Sequence, residues 1–449
     1  MRCRPELAPQ GVQGGNPSYT SIWSTQDASS ILATQAARLI DSPHNWSVQV
    51  PDANALAQRL GISDRHLRRI FATQFGVSPL QYLQTRRLLC AKQLLTDTAL
   101  GVVQVARMSG FASVRRFNAA FVGSYGLNPT QLRRTGAVPG PRGNATAVQV
   151  KLSYRPPYDV QAMLAFLAKR EITGTERVTL TSGHRGIART LRISNGAQVY
   201  SGHLVARFDE PCYRVNLTVS DSLVDVLPQV MSGVRCLLDL DAEPSAINQV
   251  LQGYFPDTDG LRLPGALDGF ELAVRAVLGQ QITVAAARTL CQRLVERFGE
   301  PIATPIEGLD CLFPSAQALA AASGEALGQL GIVRQRQSAI GALARAVASG
   351  ALALHAGADP AKTMTELLAL PGIGDWTAQY ITMRALAWPD AFPSGDVALQ
   401  KALAVRDNPQ PAQAALAASR AWQPWRSYAV IRAWARLPSG PKQTATPDQ

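Results

Sequence analysis

The chain has 449 residues, 46% of them hydrophobic, and a mean hydropathy near zero, which is typical of a globular protein with about two to four domains. Its net charge of +12 and isoelectric point near 9.7 favour a polyanionic partner, nucleic acid before a membrane surface. It has no apolar run of roughly 18 residues, no apolar secretory segment near Met1, and six scattered cysteines without a Cys-x-x-Cys pair. These features argue against a membrane-spanning protein or a disulfide-stapled secreted domain, and we expect a cytoplasmic, nucleoid-associated protein.

The first residues contain a lone cysteine in a distinctive setting. Residues 2–6 read Arg-Cys-Arg-Pro-Glu and resemble the end of the Ada-type methyl-phosphotriester repair domain, which holds zinc with four cysteines. By this resemblance Cys3 matches the last zinc ligand, and its partners would lie before Met1. We therefore expect residues 1–25 to be a remnant of that domain plus a linker, with zinc bound only if the start of the chain is truncated.

Two copies of a helix, a glycine turn and a second helix follow. Helices are predicted over 28–40, 54–60, 64–75, 79–95, 102–108 and 114–121. Gly61 and Gly110 mark the turns, and Ser63 and Ser113 are candidate N-caps for the second helix of each copy. Residues 52–134 carry twelve Lys or Arg and three Asp or Glu. The repeat and the charge together predict a double helix-turn-helix that contacts DNA phosphates.

This segment resembles an AraC-type DNA-binding domain. Residues 110–130 match the ending of that domain, from Gly-Phe-Ala-Ser to Gly-Leu-Asn-Pro-Thr. The resemblance implies such a domain over 26–135, promoter DNA as a partner, and a linker over 136–147. It also implies that the second helix of each copy enters a major groove. The predicted DNA contacts are Arg65, His66, Arg68, Arg69, Arg115 and Arg116.

Residues 148–230 predict an α+β domain. Alternating and β-branched segments bounded by turn residues predict strands over 148–154, 175–180, 186–193, 197–208 and 212–219. Helices over 158–169 and 220–230 complete an antiparallel sheet with helical cover. Cys212 has a tyrosine beside it, where a nucleophilic cysteine needs a base, and we expect it to be structural.

Helices dominate residues 231–438, and we expect the tail at 439–449 to be disordered. Helices are predicted over 244–253, 269–278, 283–298, 315–322, 324–329, 335–349, 363–370, 375–387, 396–404, 411–418 and 424–436. Gln280 and Gln281 fall between two of these helices, in an apolar setting where glutamine is a poor core residue. They form a simple turn, or they slide between DNA bases and replace a lost pair with amide hydrogen bonds.

Residues 370–380 predict a helix, a tight turn and a second helix. Pro371 ends the first helix because its ring removes an N–H. Gly372 and Gly374 permit positive φ and leave their backbone N–H groups uncovered. Bare N–H groups beside a helix N-terminus can hold a phosphate. Asp396 follows in a loop, where it suits a helix N-cap, a catalytic acid, or both.

Residues 148–438 resemble the AlkA-type 3-methyladenine DNA glycosylases. The likeness is carried by Tyr-Arg-Pro-Pro-Tyr-Asp at 154–159, Leu-Pro-Gly-Ile-Gly-Asp-Trp-Thr-Ala at 370–378, the loop with Asp396, and Trp-Arg-Ser-Tyr at 425–428. It implies an α+β N-terminal domain over 148–230 and an all-α helix-hairpin-helix domain over 231–438. The implied reaction is hydrolysis of the N-glycosidic bond of an alkylated base that is flipped out of the duplex.

The resemblance also assigns roles to single residues. Asp396 matches the catalytic acid, which stabilises positive charge on the sugar, and the competing carboxylate Asp375 is interpreted as a cap. Gly372 and Gly374 would hold a DNA phosphate. Gln281 matches the intercalating position, where some family members carry leucine. Aromatic rings suit cationic bases, although each ring is also consistent with core packing, and the implied base pocket is Trp376, Tyr380, Trp425 and Phe166.

Trp376 also predicts what the enzyme does not do. Hairpin glycosylases with lyase activity carry at this position a lysine that forms a Schiff base, and an indole cannot form one. The cysteine pattern of an iron–sulfur cluster is missing after the catalytic loop. We therefore expect a monofunctional enzyme without a cofactor.

These expectations describe a multidomain, mainly α protein: an AraC-type double helix-turn-helix, an α+β antiparallel-sheet domain and an all-α glycosylase domain. The predicted function is excision of alkylated bases from double-stranded DNA in base-excision repair. The alternative is a transcriptional regulator of the alkylation response whose glycosylase activity is secondary or lost.

Overall fold

The computed structural model describes residues 25–41, 53–136 and 147–437. The predicted zinc-domain remnant with Cys3, most of the 136–147 linker and the tail at 439–449 lie outside these ranges. Within them, no helix is long and apolar enough to cross a bilayer.

The N-terminal part is helical and contains the two predicted helix-turn-helix units. Its helices are α1 (Thr25–Asp41), α2 (Ala53–Arg59), α3 (Asp64–Phe75), α4 (Pro79–Asp97), α5 (Val102–Met108), α6 (Val114–Tyr125) and α7 (Pro129–Gly136). The sequence analysis did not predict α7. Asn128 and Gln131 begin it by accepting each other's backbone N–H groups, at 2.8 and 2.9 Å, and Pro129 suits the first turn.

Serine caps and glycine turns shape each unit. The Ser63 hydroxyl accepts the His66 N–H at 3.3 Å, and the Ser113 hydroxyl accepts the Arg116 N–H at the same distance. Gly110 has φ +79°, and a Cβ there would approach the Arg87 side chain to 2.8 Å. Glycine is therefore required at this turn for both its conformation and its size.

The middle part is a five-stranded antiparallel sheet in the order β1-β5-β4-β3-β2. Its strands are β1 (Ala147–Ser153), β2 (Glu176–Thr179), β3 (Gly186–Asn195), β4 (Gln198–Asp209) and β5 (Arg214–Ser220). Helices α8 (Val160–Ala168) and α9 (Leu227–Leu237) bury their apolar residues in the same core as the strands. The α+β fold class is confirmed.

Two local features of this part differ from the predictions. The helix predicted over 220–230 is divided into a 3₁₀ segment (Asp221–Val226) and α9, because Pro228 suits the first turn of a new helix and lacks the N–H to continue an old one. The strand predicted from 212 begins at Arg214. Cys212 lies in an exposed 3₁₀ turn, and Tyr213 after it has φ +49°.

The C-terminal part is almost entirely helical, with one short ribbon of β6 (Glu300–Pro301) and β7 (Cys311–Leu312). Its helices are α10 (Pro244–Leu251), α11 (Gly269–Leu278), α12 (Val284–Phe298), α13 (Ala316–Ala321), α14 (Gly324–Gly328), α15 (Arg334–Ala348), α16 (Pro360–Leu368), α17 (Asp375–Ala385), α18 (Val397–Ala402), α19 (Pro411–Ser419) and α20 (Arg426–Ala435). Helix α16 begins earlier than predicted, because Asp359 caps it by accepting the Lys362 N–H at 2.9 Å.

A buried ion network joins the sheet to the helical part. Arg189 on β3 bonds Glu176 at 3.2 Å and Glu271 of α11 at 2.6 Å, and Arg275 of α11 bonds the same two carboxylates at 2.8 and 2.6 Å. The two positive and two negative charges balance, as burial demands. Since Arg275 also donates to the backbone carbonyl of Arg170 at 3.0 Å, the network fixes the chain just after α8.

The helix-turn-helix part docks on the free edge of the sheet. The Lys151 N–H of β1 donates to the Asp97 carboxylate at 3.0 Å, and the Gln93 amide of α4 donates to the Lys151 carbonyl at 2.8 Å. These contacts partner backbone groups that an edge strand otherwise leaves open.

Candidate active site

The predicted glycine hairpin connects α16 to α17. Gly372 has φ +75°, and a Cβ there would approach Ala339 of α15 to 3.0 Å, so its glycine is required by conformation and by packing. Gly374 differs from the expectation, because its φ of −93° suits any residue. It is the N-cap of α17, is exposed, and has open space beside it. Because Gly374 has no side chain, the backbone N–H groups at the N-terminus of α17 stay accessible to solvent. A phosphate that binds there requires this access.

Asp396 lies at the N-terminus of α18, and two tryptophans bond its carboxylate. Oδ1 caps the helix by accepting the Leu399 N–H at 2.6 Å. The Trp376 indole N–H donates to Oδ2 at 2.9 Å, and the Trp434 indole N–H donates to Oδ1 at 3.0 Å. Among the described residues no cation pairs with Asp396, so neutral donors fix its orientation without neutralising its charge.

Aromatic rings surround this carboxylate. Trp376 and Tyr380, one turn apart on α17, are stacked with ring centroids 5.4 Å apart and an interplanar angle of 17°. The Trp434 ring lies 6.4 Å from that of Tyr380. The structure thus brings together Asp396, Trp376 and Tyr380, as predicted, and adds Trp434.

Trp434 takes the place that the sequence analysis gave to Trp425. The Trp425 ring precedes α20 and packs edge-on against Tyr428 at 5.8 Å, and among the described contacts it has no hydrogen bond to Asp396 and no ring contact with Trp376 or Tyr380. Trp434 lies near the other end of α20, more than two turns further on, where its indole reaches the carboxylate. Nothing in the spacing of residues 376, 396 and 434 indicates this contact, because it depends on how α17, α18 and α20 pack.

Arg384, Arg170 and Phe166 lie next to the Tyr380 ring. Arg384 of α17 donates to the Tyr380 hydroxyl at 2.6 Å, and its guanidinium carbon lies 4.9 Å from the Phe166 ring centroid. The guanidinium carbon of Arg170 lies 3.6 Å from the same centroid. Phe166 therefore contacts Tyr380 through these cations. Burial raises the pKa of the Tyr380 phenol, but Arg384 and Arg170 outweigh it, so that pKa lies below its ordinary value.

The two predicted intercalating glutamines have different surroundings. Gln280 is engaged inside the protein: its side-chain amide donates to the Gly372 carbonyl at 2.9 Å and to the Thr377 hydroxyl at 2.8 Å, and its backbone carbonyl accepts from Arg336. It joins the turn after α11 to the hairpin, and its side chain is not free to enter a base stack. Gln281 is exposed with φ +55°, so it projects from the turn and remains the candidate intercalator.

The basic residues of the two helix-turn-helix units lie mainly at the surface. Arg68 pairs with Asp64 at 2.9 Å, and Arg69 contacts the His66 ring at 3.1 Å. The exposed members of the predicted DNA-contact set are Arg65, Arg68, Arg69, Arg115 and Arg116, with His66 half-buried. Arg65, His66, Arg115 and Arg116 lie in the first turn of α3 or α6, and Arg68 and Arg69 lie in the second turn of α3. In helix-turn-helix domains this part of the second helix meets base edges, so the DNA contacts stay a prediction.

Metal-binding geometry does not occur in the described ranges. No group of three or more His, Cys, Asp or Glu side chains there is arranged to hold an ion. Cys3 lies outside those ranges, and the absence of a cofactor stays a prediction.

Comparisons with domain families match three consecutive parts of the chain. Residues 56–135 match a helix-turn-helix domain, 149–268 the AlkA N-terminal domain, and 274–426 the HhH-GPD superfamily of base excision DNA repair proteins. The hairpin and Asp396 lie within the last match. The fold and the site together define a base-excision DNA glycosylase joined to a helix-turn-helix domain, which confirms the predicted fold class.

Named relatives align with most of the chain. A probable bifunctional transcriptional activator/DNA repair enzyme AlkA of Mycobacterium tuberculosis is 34% identical over 445 residues, 97% of this chain and 84% of that protein. DNA-3-methyladenine glycosylase 2 of Escherichia coli is 35% identical over 283 residues, 63% of this chain and 95% of that protein. The 3-methyladenine DNA-glycosylase structure from Archaeoglobus fulgidus shares the fold, with a TM-score of 0.53, 18% identity, and coverage of 63% of this chain and 96% of that chain. The chain belongs to the AlkA family of DNA glycosylases, in the form that carries an AraC-type helix-turn-helix domain.

Proposed function

We propose that this protein excises alkylated bases of the 3-methyladenine type from double-stranded DNA, and that it acts in the cytoplasm on the nucleoid. The observation that carries the proposal is the carboxylate of Asp396, which two indole N–H groups hold beside the stacked rings of Trp376 and Tyr380. An uncompensated negative charge next to a stacking surface suits a reaction in which an aromatic leaving group departs and a cationic sugar remains.

Each step has a group in the chain to serve it. The N-terminus of α17 at Gly374 binds a backbone phosphate, and Gln281 fills the space left when the target nucleotide flips out. The flipped base stacks on the aromatic group, whose electron-rich rings attract a cationic purine. Asp396 then stabilises positive charge at the anomeric carbon and positions water for its attack.

The reaction ends with an abasic site. Trp376 occupies the hairpin position at which a lyase would need an amine, and its N–H is committed to Asp396. Borohydride trapping during turnover is therefore expected to give no covalent protein–DNA adduct, and a trapped adduct would refute monofunctional hydrolysis.

Loss of the carboxylate tests the proposal. In Asp396→Asn we expect release of 3-methyladenine from methylated DNA to fall at least about 100-fold, the scale of removing one preorganised group from a transition state. Asparagine still caps α18, so the fold is retained. Asp359→Asn is the matched control, because it changes the N-cap of α16 in the same way outside the site. Equal release by wild type and Asp396→Asn contradicts the assignment.

The helix-turn-helix domain favours a second function, regulation through promoter DNA. Its exposed arginines at the starts of α3 and α6 are placed to read a groove. If regulation is the main role, as in the alternative interpretation, binding to one promoter will be specific and unchanged by Asp396→Asn, while base release by the wild type will be negligible. If repair is the main role, base release will be rapid with or without a promoter sequence.

A further inference from the structure

Helix α17 carries three side chains in one row at the site. Trp376, Tyr380 and Arg384 stand at intervals of four residues, so they lie on the same face of the helix. The two rings are half-buried, whereas Arg384 is 5% exposed. Arg384 therefore lies where a DNA base does not reach it, and any effect that it has on the chemistry passes through its neighbours.

Every nitrogen of the Arg384 guanidinium has its own acceptor. Nη1 donates to the Tyr380 hydroxyl at 2.6 Å, Nε to the Pro264 carbonyl at 2.7 Å and Nη2 to the Gly265 carbonyl at 3.2 Å. A guanidinium is planar, and its donors keep fixed directions relative to one another. The two carbonyls therefore set the direction from which Nη1 meets the Tyr380 oxygen.

The two carbonyls belong to a segment that is itself anchored. The Leu263 N–H donates to the Asp239 carboxylate at 3.0 Å, and the Gly265 N–H donates to the Leu237 carbonyl of α9 at 3.0 Å. Gly265 packs so closely on the end of α9 that a Cβ there would lie 2.2 Å from a backbone oxygen of that helix. This segment is thus a fixed support for the guanidinium of Arg384.

Contacts run without a gap from Arg384 to the carboxylate of the site. Arg384 bonds the Tyr380 hydroxyl, the Tyr380 ring stacks on Trp376 with centroids 5.4 Å apart, and the Trp376 indole N–H donates to Asp396 Oδ2 at 2.9 Å. Stacking sets the separation of two rings but only loosely sets their offset. The hydrogen bond from Arg384 holds the hydroxyl end of the Tyr380 ring and so fixes that offset.

We propose that Arg384 is a positioning residue of the active site. It holds Tyr380 in the stack on Trp376 and thereby sets where a flipped base and the Asp396 carboxylate lie relative to each other. The inference rests on the proposed function. Misplacing a group by about 1 Å costs an enzyme up to about 100-fold in rate, because the reacting atoms must be aligned.

Arg262 supplies a matched control. It is 4% exposed, it donates to the backbone carbonyls of Arg155 and Pro157, and its guanidinium carbon lies 4.8 Å from the ring centroid of a tyrosine. That tyrosine is Tyr158, which is not part of the site. Arg262→Gln therefore removes a buried guanidinium from backbone carbonyls and a tyrosine ring, as Arg384→Gln does, but leaves the stack intact.

Base release tests the role of Arg384. Single-turnover release of 3-methyladenine at saturating protein should slow about tenfold or more in Arg384→Gln and less than about twofold in Arg262→Gln. Tyr380→Phe has no hydroxyl to hold, so in that background Arg384→Gln should slow release less than about threefold. If the effects of Arg384→Gln and Tyr380→Phe simply multiply, Arg384 acts through the fold alone and the proposal is wrong.

The protein without substrate gives a second measurement. In protein labelled with nitrogen-15 at its seven tryptophans, the Trp376 indole N–H gives one signal, which Trp376→Phe identifies by its loss. That signal should shift in Arg384→Gln, because the ring stacked on the indole moves, and it should stay in place in Arg262→Gln. An unmoved signal in Arg384→Gln overturns the proposal. If the wild type releases no base, the proposed function fails, while this shift still decides whether Arg384 positions the stack.

Discussion

At the scale of single residues, the site depends on how a carboxylate is held. Asp396 has a backbone N–H and two indole N–H groups around its oxygens, and none of these donors carries a charge. A lysine or arginine in the same place would hold the carboxylate more strongly but would cancel the negative field that the proposed reaction uses to stabilise a cationic sugar. Indoles satisfy both demands, since they orient the oxygens and also offer stacking surface.

Trp434→Phe isolates the hydrogen bond from the ring. The substitution keeps an aromatic side chain on α20 but removes the N–H that reaches Asp396 Oδ1. A hydrogen bond to a charged group contributes roughly 1.5–3 kcal/mol, so single-turnover base release should slow about 10- to 100-fold. The matched control is Trp425→Phe, because Trp425 lies at the opposite end of α20, where its ring packs on Tyr428. This substitution should change the rate less than about twofold. The reverse order of effects would restore the pocket role first given to Trp425.

At the scale of elements, the hairpin between α16 and α17 separates two uses of glycine. Gly372 is needed for the fold, because its φ is +75° and α15 packs close to it. Gly374 is not needed for the fold, because its φ is −93° and no atom lies within 4 Å of a built Cβ. Its small size matters only if another molecule approaches.

Gly374→Ala should therefore weaken DNA binding without weakening the protein. The free energy of unfolding should stay within about 0.5 kcal/mol of wild type, while affinity for duplex DNA falls because the methyl group screens the N-terminus of α17. Gly372→Ala should instead lower the free energy of unfolding by about 1–3 kcal/mol, from a strained backbone and the contact with Ala339. Urea unfolding measures the free energy of unfolding of each variant, and a DNA titration measures its affinity for the duplex. Unchanged DNA affinity in Gly374→Ala argues against a phosphate at this turn.

The elements themselves were predictable, and their contacts were less so. Helices α3, α5 and α11 have the predicted bounds, since serine caps, glycine turns and apolar periodicity are local signals. Gln280 was predicted to face DNA and instead bonds Gly372, 92 positions away in the chain. Trp434 was missed for the same reason. Contacts between distant residues follow from helix packing, which no local pattern records.

At the scale of the whole molecule, the proposed function places DNA on two separate surfaces. The helix-turn-helix surface is lined by exposed arginines, whereas the glycosylase surface offers a helix N-terminus and a turn with Gln281. The edge-strand contacts of Gln93 and Asp97 with Lys151 dock the two parts on each other. In the proposed function the helix-turn-helix part thus supplies much of the affinity for DNA, and the glycosylase part carries out the chemistry.

Arg115→Ala with Arg116→Ala should show this division. Both side chains are exposed at the start of α6, so the double substitution should weaken DNA binding and reduce the slope of log affinity against log salt by about 2, one for each positive charge removed from the DNA interface. The single-turnover rate at saturating DNA should not change, because Asp396 and its donors are untouched. DNA titrations at several salt concentrations give the slope, and a single-turnover experiment at saturating DNA gives the rate. A slower saturated rate would show that the helix-turn-helix part contributes to catalysis.

The paired indoles at Asp396 also have an optical consequence. Of the seven tryptophans in the sequence, Trp376 and Trp434 share one carboxylate, and Trp376 is stacked on Tyr380 as well. Indole emission responds to its hydrogen bonds and to any ring that stacks on it. In the proposed reaction a base enters these contacts before the bond breaks, so unlabelled protein and DNA in a stopped-flow fluorimeter should resolve base entry from base release.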